Sequence, residues 1–93
     1  MQFVLIIHEV ENYSDWKIGF DKASNIRKSA GELEYQVLTY ENEPNRVVHF
    51  SQWQSHAKAK AFFESETVAN IRKKLGVKTP EFIYLNQVEA GRL

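Results

Sequence analysis

Three histidines, His8, His49 and His56, carry the side chains of this sequence that ordinarily titrate near neutral pH. An imidazole in a suitable setting takes a proton from an acidic carbon or a phenol and later returns it. His8 follows the longest apolar run, Phe3 to Ile7, and is the candidate general base. Its competing role is structural, a hydrogen bond at a strand end that holds the next turn. His49 stands among Val47, Val48, Phe50 and Ser51, where a polar residue needs a reason. It either contacts a ligand or meets a partner chain. His56 lies just inside a helix and is expected to be solvated.

Two aromatic residues join His49 as substrate-binding candidates. Trp53 either walls a pocket for a flat molecule or plugs the end of the core. Tyr35 can present its phenol to a cavity, although tyrosine is ordinary in strands. A metal site is not expected, because His8 and His49 have no definite third ligand. The chain has no cysteine, which removes thiol catalysis, iron–sulfur ligation, cysteine-based zinc sites and disulfides. That absence fits a reducing compartment.

The elements that must position these residues are legible from spacing. Gln2 to Val10 is β-branched and aromatic and reads as a strand. Phe3, Leu5 and Ile7 fall on one face of it and Val4 and Ile6 on the other, so both faces require cover. Asn12 or Ser14 can cap a helix over Ser14 to Ala30, with Asp15 in its first turn. Trp16, Phe20, Ala23 and Ile26 or Arg27 make its apolar face, and Gly31 supplies the stop.

Leu33 to Tyr40 and Arg46 to Trp53 read as two strands joined by the turn Glu41 to Asn45. Ser55 can cap a second helix, which Ser65-Glu66-Thr67 interrupts before a shorter piece carrying Val68, Ile71 and Leu75. Gly76 and Pro80 bracket a loop. Glu81 to Val88 is the last strand, with Phe82 and Tyr84 on one face and Ile83 and Leu85 on the other. The tail from Glu89 to Leu93 has no assignment.

The order β-α-β-β-α-β is the ferredoxin-like plan of the α+β class. Right-handed crossovers give a four-stranded antiparallel sheet in the order 4-1-3-2, with the helices on one face. Antiparallel pairing of the first and third strands makes His8 and His49 neighbours and sets Trp53 beside Phe3. About five residues at roughly 3.3 Å each then put Trp53 some 16 Å from His8, too far for one compact site within a subunit.

The whole chain, residues 1–93, is expected to be one domain. A chain this short has a marginal core unless it associates, and helices on one sheet face leave the other bare. A homodimer through that bare face is therefore expected. Twelve acidic and twelve basic residues cancel, which argues against a nucleic-acid surface. RNA-recognition domains share this element order, but Arg46 to Trp53 has no glycine where their strand motif needs one. Lys58, Lys60, Arg72, Lys73, Lys74 and Lys78 read as a solvated face. No run approaches the roughly 20 apolar residues of a membrane span. Met1 and Gln2 supply no basic leader, and the protein is expected to be cytoplasmic.

The segment His8 to Lys17 with Phe20-Asp21, together with Glu43 to Val48, resembles the antibiotic biosynthesis monooxygenase-like proteins of the dimeric α+β barrel superfamily. Trp53, Ala57, Ala61 and Phe62, and the loop Leu75-Gly76-Val77 through Pro80-Glu81, extend the resemblance over nearly the whole chain. The resemblance implies a homodimer with a ligand cavity, and activities that include cofactor-free oxygenases, haem-degrading enzymes and cyclase-like proteins. Haem-degrading relatives carry an iron-ligating histidine ten residues after the tryptophan. Here that position is Phe63, so no haem is expected, nor any other cofactor. Two functions stay open. One is a cofactor-independent monooxygenase or cyclase-like enzyme acting on a small apolar or aromatic molecule. The other is a non-catalytic ligand-binding or structural dimer.

Overall fold

The computed structural model describes all of residues 1–93. Four strands form a single antiparallel sheet: β1 (Gln2–Val10), β2 (Glu32–Tyr40), β3 (Glu43–Trp53) and β4 (Val77–Asn86). Their order across the sheet is β2-β3-β1-β4, which is the ferredoxin-like order expected from the sequence. Four helices lie between them: α1 (Tyr13–Lys22), α2 (Ser24–Ala30), α3 (His56–Phe63) and α4 (Glu66–Lys74). None is long and apolar enough to cross a membrane.

The first helical segment is two helices where the periodicity predicts one. Phe20 supplies the reason. In an unbroken helix its carbonyl would accept from the amide four residues on. Here it accepts from Ala23 N and from the Arg27 guanidinium instead. A side chain inserted into the backbone ladder breaks or bends a helix. Asn12 caps α1 by accepting from Asp15 N, and Gly31 ends α2 at φ 122°, a backbone that suits glycine. The second segment breaks at Ser65, as its composition predicts, and Ser65 caps α4 by accepting from Val68 N.

Period-two alternation divides the sheet into two faces. Val4, Ile6, His8 and Val10 of β1 and Val47, His49, Ser51 and Trp53 of β3 are buried beneath the helices. The core under them has two lobes. Val4, Ile6, Trp53, Ala59, Phe63 and Val68 form one, and Val10, Trp16, Phe20 and Val47 the other. Phe3, Leu5, Ile7, Val48, Phe50 and Ile83 lie on the opposite face and are only half-buried.

The last strand begins at Val77, four residues before the predicted start. A register shift explains both the longer strand and its misreading. Ile7 pairs with Glu81 and Glu9 with Lys78, so β4 bulges at Thr79-Pro80, opposite His8. A proline, having no amide hydrogen, is tolerated at such a bulge on an edge strand. Thr79 adopts φ 43°, an uncommon conformation for a β-branched residue.

Candidate active site

Between the two core lobes, sheet and helices border a partly open apolar cavity of about 80 Å3. Ile6, His8 and His49 form its floor. Trp16, Phe20 and Arg27 bound it from α1 and α2, and Phe63, Ile71, Arg72 and Leu75 from the α3–α4 side. Gly19 sets how closely one rim approaches the other: a Cβ there would lie 2.1 Å from Leu75 Cδ2. A larger residue at this position of α1 would force the leucine that borders this end of the cavity to move.

His8 is 5% exposed, and neither ring nitrogen has a hydrogen-bond partner within the protein. Its ring packs on Trp16, with centroids 5.3 Å apart. Burial, with smaller contributions from the neighbouring His49 and Arg72 charges, lowers its pKa from 6.5 to about 4. At neutral pH the imidazole is therefore uncharged, with one lone pair and one N–H both unspent. Leaving buried polar atoms without partners costs about 1–3 kcal/mol, so the position is occupied at the expense of stability.

His49 has the opposite surroundings. Glu32 Oε2 lies 2.8 Å from His49 Nε2, and Glu32 Oε1 accepts from Arg27 Nε, also at 2.8 Å. Burial alone would push the Glu32 carboxyl up, but hydrogen bonds and charge from His49 and Arg27 outweigh it and hold the group below the usual carboxylate range. An ionised carboxylate only accepts, so His49 Nε2 is the donor of this bond. The Arg27 guanidinium lies 3.7 Å above the Phe20 ring, and Phe20 meets the His49 ring edge-on at 5.0 Å. Charge, carboxylate and aromatic faces thus fix the orientation of His49.

The sequence candidates divide between two places. His8 and His49 come to the same cavity, on the same sheet face, with Ile6 opposite His49 and Val47 opposite His8. Trp53 pairs with Gln2 and lies in the other core lobe, 1% exposed, where its Nε1 donates to Ser51 Oγ at 2.7 Å. Tyr35 faces the helices from edge strand β2, half open to solvent, with its ring edge-on to Phe20. Neither lines the cavity. His56, expected to be solvated, is half-buried and bonds the Leu85 carbonyl at 2.8 Å. No group of three or more acidic or histidine side chains is placed to hold a metal ion.

Sequence reasoning missed Arg27, Glu32 and Arg72 as site residues. Arg27 read as an alternative to Ile26 on the face of the first helix, and Arg72 as part of a solvated basic face. Glu32 falls between the Gly31 stop and the strand expected from Leu33, and the spacing assigns it no role. The available signal was the sequence Arg27 to Glu32 across a glycine stop, which folds both side chains back under α2.

A family model for antibiotic biosynthesis monooxygenases matches residues 20–74, a segment that holds Arg27, Glu32, His49 and Arg72 but not His8. SnoaB, a cofactor-independent oxygenase from Streptomyces nogalater, superposes with a TM-score of 0.75 at 13% identity, covering 96% of this chain and 93% of that one. A monooxygenase from the ActVA-Orf6 gene of Streptomyces coelicolor, solved with nanaomycin D, superposes at 0.67 and 14% identity, over 99% and 91% of the two chains. No curated protein matches the chain. Because the matched segment spans more than half of its length, the chain belongs to the antibiotic biosynthesis monooxygenase family.

Proposed function

We propose that this chain is a cofactor-independent oxygenase that binds a small enolisable or phenolic aromatic molecule in the cavity over His8 and His49. The observation that carries the reading is the buried, unpartnered imidazole of His8 on the cavity floor. A polar group kept at a cost to folding is explained by a ligand that completes its hydrogen bonds.

The chemistry follows from that placement. His8 accepts a proton from the acidic CH2 carbon of the substrate, and the resulting carbanion delivers electrons to O2 by one-electron steps until a C–O bond forms. The imidazolium returns its proton to the peroxide anion, giving a hydroperoxide on that carbon. Loss of the remaining C–H proton with cleavage of the O–O bond yields a carbonyl group and water. One oxygen atom thus enters the product, and O2 is the only oxidant. The low pKa of His8 keeps its lone pair free at neutral pH. An anion forming beside the ring raises that pKa again, because opposite charges favour the protonated state. His49, held by Glu32, offers the second polar contact. The apolar walls exclude water from the carbanion.

A non-catalytic ligand-binding or structural dimer is the second reading, and one observation favours its structural form. The cavity of about 80 Å3 is small beside the ~300–1,000 Å3 of ordinary ligand pockets. Oxygen consumption separates the two. Given hydroquinones, anthrones and acidic phenols, the wild-type protein is expected to consume O2 in stoichiometric step with oxidised product, and His8→Leu to lose at least tenfold in rate. No consumption above the protein-free rate with any of them overturns the oxygenase reading. Saturable binding without turnover then supports the binding protein.

A further inference from the structure

Arg72 is a cavity-lining cation with no acidic partner. The ion pairs of the molecule are Lys17–Asp21, Arg27–Glu32, Arg46–Glu43 and His49–Glu32, and none includes it. Its Nη1 donates to the Phe63 carbonyl at 3.0 Å, and its guanidinium lies 5.2 Å from the centre of the Phe82 ring. A guanidinium has five N–H donors, so four remain unspent on a side chain that is already half-buried. The other lining guanidinium, Arg27, is neutralised by Glu32, and no aspartate or glutamate lines the cavity.

Arg72 is therefore the unpaired cation of the lining. Phe20, Phe63 and Phe82 supply flat apolar walls around that charge. Resting on the placement of the site argued above, we propose that the cavity selects the anion of a small aromatic acid, with Arg72 binding its carboxylate or acidic enolate oxygen. The ring lies among the phenylalanines, and the anion completes the donors that the protein leaves open. Planar, charge-assisted pairing of this kind is what guanidinium groups do well.

A purely structural Arg72 would do no more than satisfy the last carbonyl of α3. It would affect folding but would not distinguish ligand charge. Benzoate and benzamide are nearly isosteric and differ in charge, so their affinity ratio reads the difference. By titration calorimetry at low salt, wild-type protein is expected to bind benzoate at least tenfold more tightly than benzamide. Arg72→Gln should bring the ratio close to one by weakening benzoate alone, and Arg72→Lys should keep part of it. A wild-type ratio near one, or a ratio unchanged in a folded Arg72→Gln protein, overturns the inference. Benzamide binding that His8→Leu abolishes, without any charge preference, overturns it while leaving the cavity as the site. Charge preference without oxygen consumption does the reverse: the inference stands and the oxygenase reading falls. Saturable binding of neither probe to wild-type protein overturns the inference, while oxygen consumption decides the oxygenase reading separately.

Discussion

Glu32 and His49 meet through a 2.8 Å contact in which each side chain is 5% exposed, while Arg27 holds the other oxygen of the same carboxylate. One anion thus serves two buried partners from different elements, α2 and β3. Removing it strands both. Glu32→Gln keeps the shape but not the charge, and leaves a buried guanidinium without a counter-ion. Breaking a buried pair in this way costs about 3–5 kcal/mol. Chemical denaturation of Glu32→Gln should show a loss of that order. A change below about 1 kcal/mol would mean that water or rearrangement replaces the carboxylate.

The frame around this pair was legible in the sequence, and the pair itself was not. Strand faces follow from alternation, so spacing alone assigns Val4, Ile6 and His8 to one side and Phe3, Leu5 and Ile7 to the other. Strand order follows from handedness rules that use only element order. Glu32 is different. Its burial depends on the register shift after it, between Glu32 and Glu34, and on a guanidinium reaching from the preceding helix. Local spacing cannot report either. The break of the first helix has the same origin, because the Arg27 side chain that holds Glu32 also captures the Phe20 carbonyl. The bulge at Thr79-Pro80 was hidden for a simpler reason: proline within a short run reads as loop.

His8 is expected to make the protein acid-sensitive. Its pKa is about 4 in the folded state against 6.5 for the free imidazole, lowered by burial and by the facing charges of His49 on β3 and Arg72 on α4. Between these values the unfolded chain binds more protons than the folded one, so stability rises with pH across the window. The contribution is complete above about pH 6.5 and is lost as pH falls toward 4, amounting to about 3 kcal/mol for a 2.5-unit shift. Glu32 adds a second loss at lower pH, as its depressed carboxyl is protonated below the usual carboxylate range. Denaturant midpoints measured from pH 7 to pH 4 should therefore decline in wild type and stay nearly level in His8→Leu. The same variant should be more stable than wild type at pH 7 by about 1–2 kcal/mol, because it removes two unpartnered polar atoms from the interior. An equal decline in both proteins would assign the acid sensitivity to other groups.

The sheet face away from the helices yields the last prediction, that two copies of the chain associate through it. Phe3 and Phe50 stack in parallel there, 5.1 Å apart and inclined by only 5°. Leu5, Ile7, Val48 and Ile83 surround them half-buried, and Leu33, Leu38 and Leu85 are more exposed still. Soluble proteins seldom leave so continuous an apolar patch to water. A second copy offers the same face, so a two-fold arrangement buries aromatic against aromatic without further chemistry. Completing the burial of a half-buried large apolar side chain stabilises by about half of the ~1.5–3 kcal/mol of full burial, and six such residues on each copy together exceed the low end of the cost of association. Light scattering at micromolar concentration should give twice the chain mass. Phe50→Asp places a charge at the centre of the patch on a strand whose opposite face carries His49, and should shift the protein to monomer while circular dichroism still reports a folded sheet. A wild-type monomer at that concentration would leave the bare face unexplained and remove the dimer from the account.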